Sequence, residues 1–381
     1  MHLSRSRFHS SFLLGQVAAL TAVAALVTIL AAPLGQQAGP PQQTPPPSGQ
    51  PPARGRGQGA PDFNAVQQRQ LQTDATWRKA SEGVMKMTKT AYKSRKDGLE
   101  IPVFVFEPLK LRGPKGHAAL VWVHPDIRGH LYEYYIPYVK EAVSRGLVVV
   151  APEYRGSVGY GQAFYDAIDY GGAEVDDVLT AVDFIKSTMP HVDPARIGII
   201  GWSHGGMITL LSITHEPTTF KAAVAMVPVT NLFQRLSYKN PARYHQQIDP
   251  ANRIGGLPGD SAQVNATYKE RSAIYQIDKL QIPLLVHITR NDADVNFEEA
   301  QQLVDALRAR KPDLAETKIY DSPQGGHLFD RQCPSLTDRG TDPTDLASYK
   351  PTNTHEQLDS WSRIWTFFEW NLDPSHDANG K

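Results

Sequence analysis

One short segment has the residue types of a serine nucleophile held on a sharp turn. Residues 201–205 read Gly-Trp-Ser-His-Gly and follow the β-branched pair Ile199 and Ile200. Glycines on both sides of a serine allow a tight turn from a strand into a helix, and such a turn exposes the Ser203 hydroxyl. Backbone N–H groups at the start of that helix then face developing negative charge. The pattern predicts a nucleophile, and a serine that merely caps a helix is the alternative.

A serine hydroxyl needs a general base, and the base needs an acid that orients it. Asp292 and Asp294 follow an apolar run, and His327 follows two glycines after a further short strand-like segment. Nucleophiles on strand–turn–helix elements have their partners in the chain order serine, acid, histidine, which Ser203, Asp292 and His327 match. Asp294 is the alternative acid.

Short apolar runs and amphipathic segments alternate along the rest of the chain, and the alternation predicts the elements that position these residues. Apolar runs predict buried strands at 118–123, 147–151, 197–201, 222–227 and 282–287, with a short strand at 317–321. Helices are predicted at 65–82, 132–144, 173–186, 204–213, 297–310 and 357–370. A Lys-Asp-Gly turn at 96–98 predicts a hairpin between strands 84–92 and 101–106.

This order predicts an α/β fold with an open, mostly parallel sheet and helices on both faces. Ligands bind such sheets at the carboxyl ends of the strands. The loops that carry Ser203, Asp292 and His327 all follow strands, so we expect the three side chains at one edge of the sheet.

Several segments between about residues 85 and 370 resemble the prolyl oligopeptidase family, whose catalytic domain has the α/β-hydrolase fold. Residues 201–206 resemble its nucleophile turn, and residues 291–295 its acid loop, with an aspartate three residues before a valine. Further similar segments are the histidine loop at 326–327, the arginine- and glycine-rich loop at 154–161, and the approaches to two strands at 192–197 and 271–283.

The resemblance implies a catalytic triad of Ser203, Asp292 and His327 that works through an acyl-enzyme, without a metal or organic cofactor. It also implies a cap-like insert after the sixth strand, at 228–280, whose aromatic residues either line a pocket or pin the insert to the body. These aromatic residues are Phe233, Tyr238, Tyr244, Tyr268 and Tyr275.

Two departures from the family pattern affect what can be expected. A seven-bladed β-propeller needs roughly 300 residues, and only about twenty residues separate the Pro/Gly/Gln-rich segment at 33–62 from the first hydrolase-like strand. We therefore expect no propeller and do not carry over dipeptidyl-peptidase specificity.

The second departure concerns the oxyanion hole, where one donor should be the backbone N–H of His204. Pro125 occupies the place of a donating glycine and has no N–H, which leaves the Asp126 N–H, the His124 side chain, or no second donor.

The start of the chain has the composition of a targeting segment followed by a linker. Arg5 and Arg7 precede residues 12–32, of which 17 of 21 are apolar, so residues 1–32 are predicted to be an export signal or a membrane anchor. Residues 33–62 are rich in Pro, Gly and Gln and are predicted to be a disordered linker. The catalytic domain is expected at 63–381, in a periplasmic, extracellular or membrane-anchored protein.

Composition narrows the kinds of partner, disulfide and metal site that the protein can have. The 39 basic and 39 acidic side chains balance, which gives no reason to expect a nucleic-acid partner. The single cysteine, Cys333, excludes an intrachain disulfide and zinc sites built from several thiolates. It lies in a long stretch predicted to be irregular, 331–355, and is expected to be a loop or packing residue rather than a redox or cross-linking one.

The sequence thus predicts a serine hydrolase that cleaves a peptide or a small ester, with an N-terminal membrane tether as a possible attachment. A peptide is the expectation from the family, and an ester gains weight from the expected lack of a propeller. A non-catalytic binding module that retains the fold is the alternative from another class. The oligomeric state stays open.

Overall fold

The computed structural model describes residues 61–239, 253–337 and 345–376. The predicted export segment and all but the last two residues of the predicted linker lie outside these ranges, as does Tyr244. Within the described residues, no helix combines the length and the apolar character needed to cross a membrane.

Eight strands form one sheet in the order β1-β2-β4-β3-β5-β6-β7-β8. The pairs β1–β2 and β2–β4 are antiparallel, and all other neighbours are parallel. The strands span Met85–Lys93, Glu100–Pro108, His117–Val123, Val148–Pro152, Val192–Trp202, Ala222–Met226, Leu284–Thr289 and Ala315–Tyr320.

Ten α-helices are found among the described residues. In chain order, α1 to α10 span Phe63–Ser81, Ile136–Ser144, Gln162–Asp166, Ala173–Thr188, His204–His215, Leu232–Tyr238, Ala262–Glu270, Phe297–Arg310, Pro334–Thr337 and His355–Leu372. Short 3₁₀ helices span Glu133–Tyr135, Ala273–Tyr275, Ile277–Lys279, Gly326–Arg331 and Leu346–Tyr349.

The central strands are buried on both faces, as their unbroken apolar runs predict. In β3 every residue is buried. Val121 packs into one hydrophobic cluster, and its neighbour Trp122 packs into the other, because successive side chains of a strand point to opposite faces. The predicted mostly parallel sheet covered on both sides is therefore confirmed.

Two predicted elements differ in detail. The helix predicted at 132–144 begins with a 3₁₀ turn, and its α-helical part starts at Ile136 with Pro137 in the first turn. Proline fits there because the first N–H groups of a helix have no intrahelical acceptor. The prediction that residues 331–355 are irregular was wrong in part, because this stretch contains α9, the 3₁₀ helix Leu346–Tyr349 and the first residue of α10. Cys333 is buried in a hydrophobic cluster.

The described aromatic residues of the insert pack against each other and, at two residues, against the body of the domain. Phe233 on α6 packs against Tyr268, with ring centroids 5.3 Å apart, and against Tyr275 at 6.0 Å. Tyr268 is completely buried. The Tyr238 hydroxyl donates a hydrogen bond to Glu299 on α8. Of the two predicted roles, anchoring to the body is supported for Tyr268, which belongs to the central hydrophobic cluster, and for Tyr238. Tyr275 is 47% exposed and packs against Phe233 within the insert.

The sheet order fixes the place of the predicted site. Strands β5, β6, β7 and β8 are consecutive parallel neighbours. Ser203 follows β5, Asp292 follows β7 and His327 follows β8. All three loops therefore leave the same edge of the sheet, at the carboxyl ends of the strands.

Candidate active site

Ser203 lies on a strained turn between β5 and α5. Its φ and ψ angles are 54° and −115°, a backbone conformation that a non-glycine residue rarely adopts. The turn is held on both sides: the Ser203 N–H donates to the Met226 carbonyl, and the Ser203 carbonyl accepts from the Met207 N–H, each at 2.9 Å. A strained serine held in this way is typical of a nucleophile turn, but Ser203 is only 3% exposed, in contrast to the expectation that the turn exposes its hydroxyl.

The two glycines that flank the serine are required by close approach of the backbone. A Cβ atom at Gly201 would lie 2.3 Å from the Gly205 carbonyl oxygen, and one at Gly205 would lie 2.3 Å from the His124 carbonyl oxygen. The start of α5 thus packs directly on the loop that follows β3. A side chain at Gly205 would push the nucleophile turn away from that loop, and one at Gly201 would collide with the first turns of α5.

His327 and Asp292 are hydrogen bonded to each other. The Nδ1 of His327 lies 2.7 Å from Oδ2 of Asp292, whose side chain is almost fully buried. The other carboxylate oxygen, Oδ1, accepts the N–H groups of Asp294 and Val295, each at 2.8 Å. These two bonds fix the carboxylate and aim Oδ2 at the imidazole. A carboxylate at Nδ1 selects the tautomer in which Nε2 is free to accept a proton.

Asp294 lies on the other side of the imidazole. Its Oδ2 is 3.5 Å from Nε2 of His327, while Oδ1 is 2.5 Å from Nζ of Lys239 and Oδ2 is 3.7 Å from Nη2 of Arg235. Burial acts to raise the pKa of the Asp294 carboxyl, but the charges of Arg235, His327 and Lys239 outweigh burial and lower it. Asp294 is therefore an ionised group beside the nitrogen that must receive a proton.

The pKa of His327 reflects this double contact. Burial of the ring opposes its charged form, but the nearby Asp292 and then Asp294 carboxylates outweigh burial and raise the pKa of His327 above its ordinary value. The imidazole of the resting protein thus holds a proton to higher pH than a free histidine does.

A buried network connects the histidine loop to the nucleophile turn. Asp330 is completely buried, and its Oδ2 accepts the indole N–H of Trp202, the residue before Ser203. The main-chain carbonyl of Asp330 accepts the indole N–H of Trp361 at 2.6 Å, and its Oδ1 pairs with Arg331 at 2.7 Å. The 3₁₀ helix that begins at Gly326 is therefore fixed relative to β5.

The loop after β3 contains the two predicted candidates for a second oxyanion donor. The ring of His124 lies 2.8 Å from the Pro125 carbonyl through Nδ1 and 2.9 Å from the Ser157 hydroxyl through Nε2. Burial lowers the pKa of His124 to about 3, so the ring is neutral. Both ring nitrogens have protein partners, which leaves this side chain no N–H for a substrate.

Asp126 occupies a different position in the same loop. Its φ is 69°. Its carbonyl accepts a hydrogen bond from the Tyr154 hydroxyl at 2.7 Å, and this bond holds the turn in place. In the part of the chain that the structure describes, the Asp126 N–H has no acceptor. Of the two candidates, the Asp126 N–H is the one without a competing partner.

The side chain of His204 pairs with a buried carboxylate. Its Nε2 lies 3.4 Å from Oε1 of Glu174 on α4, and both side chains are buried. Burial acts to raise the pKa of Glu174, but His204 and the Gly171 N–H outweigh burial and lower it. The side chain of the residue after the nucleophile therefore contacts the neighbouring helix, but neither nitrogen of its ring has a hydrogen-bond partner among the described residues.

These observations place a triad-like arrangement on a sheet edge, and comparison with known proteins gives the family. The profile of the prolyl oligopeptidase family matches residues 135–337. The chain belongs to the prolyl oligopeptidase family. The resemblance of the separate motifs is confirmed by this match, which extends over more than half of the chain.

Curated relatives in the family share about three residues in ten with the chain. The uncharacterized peptidase YuxL of Bacillus subtilis is 28% identical over 62% of the chain and 34% of its own length. Dipeptidyl aminopeptidase BIII of Pseudoxanthomonas mexicana is 32% identical over 49% of the chain and 27% of its own length. The chain thus spans about a quarter to a third of these relatives.

Solved structures agree on the fold. A puromycin-hydrolyzing peptidase of Mycobacterium tuberculosis superposes with a TM-score of 0.59 at 22% identity, over 76% of this chain and 39% of that one. The acylaminoacyl peptidase of Pyrococcus horikoshii gives 0.58 at 20% identity, over 80% and 44%. The predicted α/β-hydrolase fold is confirmed by this likeness.

Other side chains of the site carry no sequence signal. No family motif that we identified contains Arg235, Lys239, Glu174 or Asp330. Asp330 lies on the same 3₁₀ helix as His327. The other three come from distant segments, and only packing brings them to the loops that hold Ser203 and His327. Among residues 61–239, 253–337 and 345–376, no group of three or more His, Cys, Asp or Glu side chains could hold a metal ion.

Proposed function

We propose that the protein is a serine hydrolase that cleaves a peptide bond through an acyl-enzyme formed on Ser203. The observation that carries the proposal is the 2.7 Å bond from His327 to Asp292, on the sheet edge where the strained Ser203 turn lies. Membership of a family whose named relatives are peptidases supports peptide over ester.

In the proposed mechanism the Ser203 hydroxyl attacks the substrate carbonyl while Nε2 of His327 takes its proton. Asp292 holds the imidazole through Nδ1 and stabilises the imidazolium that forms. The imidazolium then gives its proton to the leaving amine or alcohol, which departs. His327 next takes a proton from water as the resulting hydroxide attacks the acyl-enzyme. The bond from the carbonyl carbon to the Ser203 oxygen then breaks, and the imidazolium returns its proton to that oxygen, which releases the acid and restores Ser203 and neutral His327.

The tetrahedral intermediate carries a negative oxygen that needs hydrogen-bond donors. We propose the backbone N–H of His204 as the first, because it begins α5 directly after the nucleophile. We propose the N–H of Asp126 as the second, since it has no acceptor among the described residues. Pro125 cannot donate.

Kinetics of single variants test the proposal. Ser203→Ala and His327→Ala should each remove nearly all turnover, and the double variant should lose little more, because the two residues act as a unit. Blocked peptide anilides and short aryl esters, assayed side by side, should show turnover of the anilides. Turnover of esters alone would favour a carboxylesterase, and no turnover of either with bound peptide would favour a binding module.

We also propose that residues 1–32 direct export or anchor the protein, with residues 33–62 as a tether. The support is the basic start, the apolar run and the Pro/Gly/Gln-rich segment of the sequence. Fractionation of cells that express the full chain tests this, since a variant lacking residues 12–32 should stay in the cytoplasm. Equal distribution of both forms would contradict it.

A further inference from the structure

Tyr154 is a completely buried tyrosine in the loop that follows β4. Because β3 and β4 are parallel neighbours, this loop and the loop after β3 leave the same edge of the sheet. The Tyr154 hydroxyl lies 2.7 Å from the carbonyl oxygen of Asp126 and 3.2 Å from that of His124. Burial raises the pKa of Tyr154 far above its ordinary value, so the hydroxyl keeps its proton. One buried hydroxyl thus contacts two carbonyl groups of the loop after β3.

The carbonyl groups of His124 and Asp126 depend on this hydroxyl. Both residues lie beyond the end of β3 at Val123. Across residues 61–239, 253–337 and 345–376, only the Tyr154 hydroxyl donates a hydrogen bond to either oxygen. A carbonyl that is withdrawn from water and has no donor costs free energy. The hydroxyl therefore favours the loop conformation in which both carbonyl groups point towards it.

The backbone of Asp126 needs support of this kind. Its φ of 69° lies in the left-handed region, which a residue other than glycine keeps only where surrounding contacts hold it. The N–H and the carbonyl of one residue are related by only two soft dihedral angles, so a fixed carbonyl limits the directions that the N–H can take. The bond from Tyr154 therefore helps to fix the direction of the Asp126 N–H.

His124 holds the same N–H from the other side of its peptide plane. In a trans peptide the carbonyl and the N–H point in opposite directions, and the Pro125 carbonyl oxygen lies 2.8 Å from Nδ1 of His124. The Asp126 N–H of that peptide therefore points away from the imidazole. The Tyr154 ring stacks on this imidazole, with centroids 4.2 Å apart and planes inclined by 15°. The hydroxyl and the ring of Tyr154 thus act on one N–H by two routes.

Tyr154 also faces the nucleophile turn. The centroid of its ring lies 5.8 Å from that of His204, whose backbone N–H is the first proposed donor. A Cβ at Gly205 would lie 2.3 Å from the His124 carbonyl oxygen, which is the second oxygen that the Tyr154 hydroxyl approaches. The loop after β3 and the start of α5 therefore meet at an atom that Tyr154 holds.

We propose that Tyr154 is a positioning residue that directs the Asp126 N–H into the oxyanion hole. It acts through Asp126 and His124 rather than by contact with the substrate. Pro125 cannot donate, so the second N–H comes from the next residue, in a backbone conformation that needs outside support. The proposal rests on the proposed function, because an oxyanion forms only if Ser203 attacks a carbonyl.

Removal of the hydroxyl alone tests the proposal, and Tyr154→Phe achieves this while keeping the ring. Loss of a whole oxyanion donor typically lowers turnover by about 10²–10³. A donor that is present but misdirected should retain part of its effect, so we expect kcat on a blocked peptide anilide to fall by about tenfold to hundredfold. KM should stay within about threefold, because the negative oxygen exists in the intermediate and not in the bound substrate.

A second measurement reports on the oxyanion itself. With a peptidyl trifluoromethyl ketone, the Ser203 oxygen bonds to the ketone carbon, the serine proton passes to His327, and the ketone oxygen becomes negative. We expect the inhibition constant of this ketone to rise in Tyr154→Phe by about the factor by which kcat falls. A purely structural defect would reduce the active fraction of the protein and leave the inhibition constant unchanged.

Tyr92→Phe is the matched control. Tyr92 on β1 is also buried, and its hydroxyl donates to the Asp177 carbonyl on α4 at the same distance of 2.7 Å. This variant should lose comparable stability in denaturant unfolding and keep the wild-type kcat and inhibition constant. Ser157→Ala is a second test variant, because the Ser157 hydroxyl lies 2.9 Å from Nε2 of His124 and 2.7 Å from the Tyr154 carbonyl. It should lower kcat and raise the inhibition constant several-fold, with KM little changed.

The outcomes separate this proposal from the proposed function. A Tyr154→Phe protein with the wild-type kcat and inhibition constant would overturn the positioning role and leave the serine hydrolase standing. A fall in kcat without a rise in the inhibition constant would also overturn it, as would equal losses in Tyr92→Phe. If Tyr154→Phe does not fold, Ser157→Ala decides by the same two measurements. A wild-type protein that neither turns over peptides nor binds the ketone would instead count against the proposed function.

Discussion

The indole N–H of Trp202 donates a hydrogen bond to the buried carboxylate of Asp330, three residues beyond His327. This bond joins the residue before the nucleophile to the loop of the base. Ser203 and His327 come from loops that follow different strands, so their relative position depends on contacts of this kind. The Trp202–Asp330 bond is one of the features that hold the two loops in register.

Replacing Trp202 with phenylalanine tests this role. Trp202→Phe keeps the aromatic packing but leaves Oδ2 of Asp330 without its donor, in a site with no access to water. We expect kcat to fall about tenfold with KM little changed, and the free energy of unfolding to fall by about 1–3 kcal/mol. Steady-state kinetics and thermal unfolding measure the two effects. Trp365→Phe, on α10, is the control and should alter stability without changing kcat.

The two candidate acids should respond differently to the same change. Asp292→Asn removes the charge that holds Nδ1 of His327, and we expect kcat to drop by roughly 10³–10⁴, as when the orienting acid of a triad is neutralised. Asp294→Asn should retain turnover within about tenfold, because Asp294 lies at Nε2 and not at Nδ1. Steady-state rates at one pH above 8 compare the variants. The reverse ranking would show that Asp294 is the acid.

The pH dependence of turnover should follow the raised pKa of His327. Catalysis needs the neutral imidazole, and the nearby carboxylates keep the ring protonated to higher pH. The acid limb of kcat/KM should therefore have its midpoint above about 6.5, the ordinary histidine value. Asp294→Asn removes one of the charges that raise this pKa, so its midpoint should move to lower pH. A midpoint unchanged in that variant would contradict the influence of Asp294.

Glu153 offers a test of stability against pH. Burial raises the pKa of Glu153 to about 8; its Oε1 accepts the Leu131 N–H at 2.7 Å, while Oε2 has no partner among the described residues. The unfolded chain loses this proton near pH 4.3, so the folded form binds more protons between about pH 4.5 and 8. Its contribution to stability therefore decreases as the pH rises through that window.

Glu153→Gln removes the titrating group and keeps an acceptor for Leu131. Relative to wild type, the free energy of unfolding of this variant should rise between pH 5 and pH 8 by roughly 3–4 kcal/mol, at about 1.4 kcal/mol per pH unit across the window. Denaturant unfolding at the two pH values measures the difference. Glu141→Gln, on the surface of α2, serves as the control. A difference that is the same at both pH values would show that Glu153 is ionised in the folded protein.

Much of the fold could be predicted because its signals are local. The unbroken apolar run of β3, the Lys-Asp-Gly turn at 96–98 and the glycines at 201 and 205 each act through short-range geometry. The order of strands and helices then places the three loops at one edge. Ser203, Asp292 and His327 could be proposed for the same reason, since each lies directly after a strand.

Other features depend on contacts between distant parts of the chain. Asp294 and Asp292 are two residues apart, and only the packing of His327 decides which of them meets Nδ1. Arg235 on α6 and Lys239 directly after it reach Asp294, and α6 packs against α8 through contacts to buried Glu299. The sequence likewise left His124 and Asp126 open as donors, because the partners of the His124 ring come from the folded loop.

The most direct test of the central claim is covalent labelling of Ser203. Folded wild-type protein should react with a fluorophosphonate probe, and peptide mass spectrometry should find the adduct on Ser203. Ser203→Ala should not be labelled, and His327→Ala should be labelled far more slowly, because the hydroxyl has lost its base. No labelling of the folded wild-type protein, or labelling at another residue, would contradict the account of Ser203 as the nucleophile.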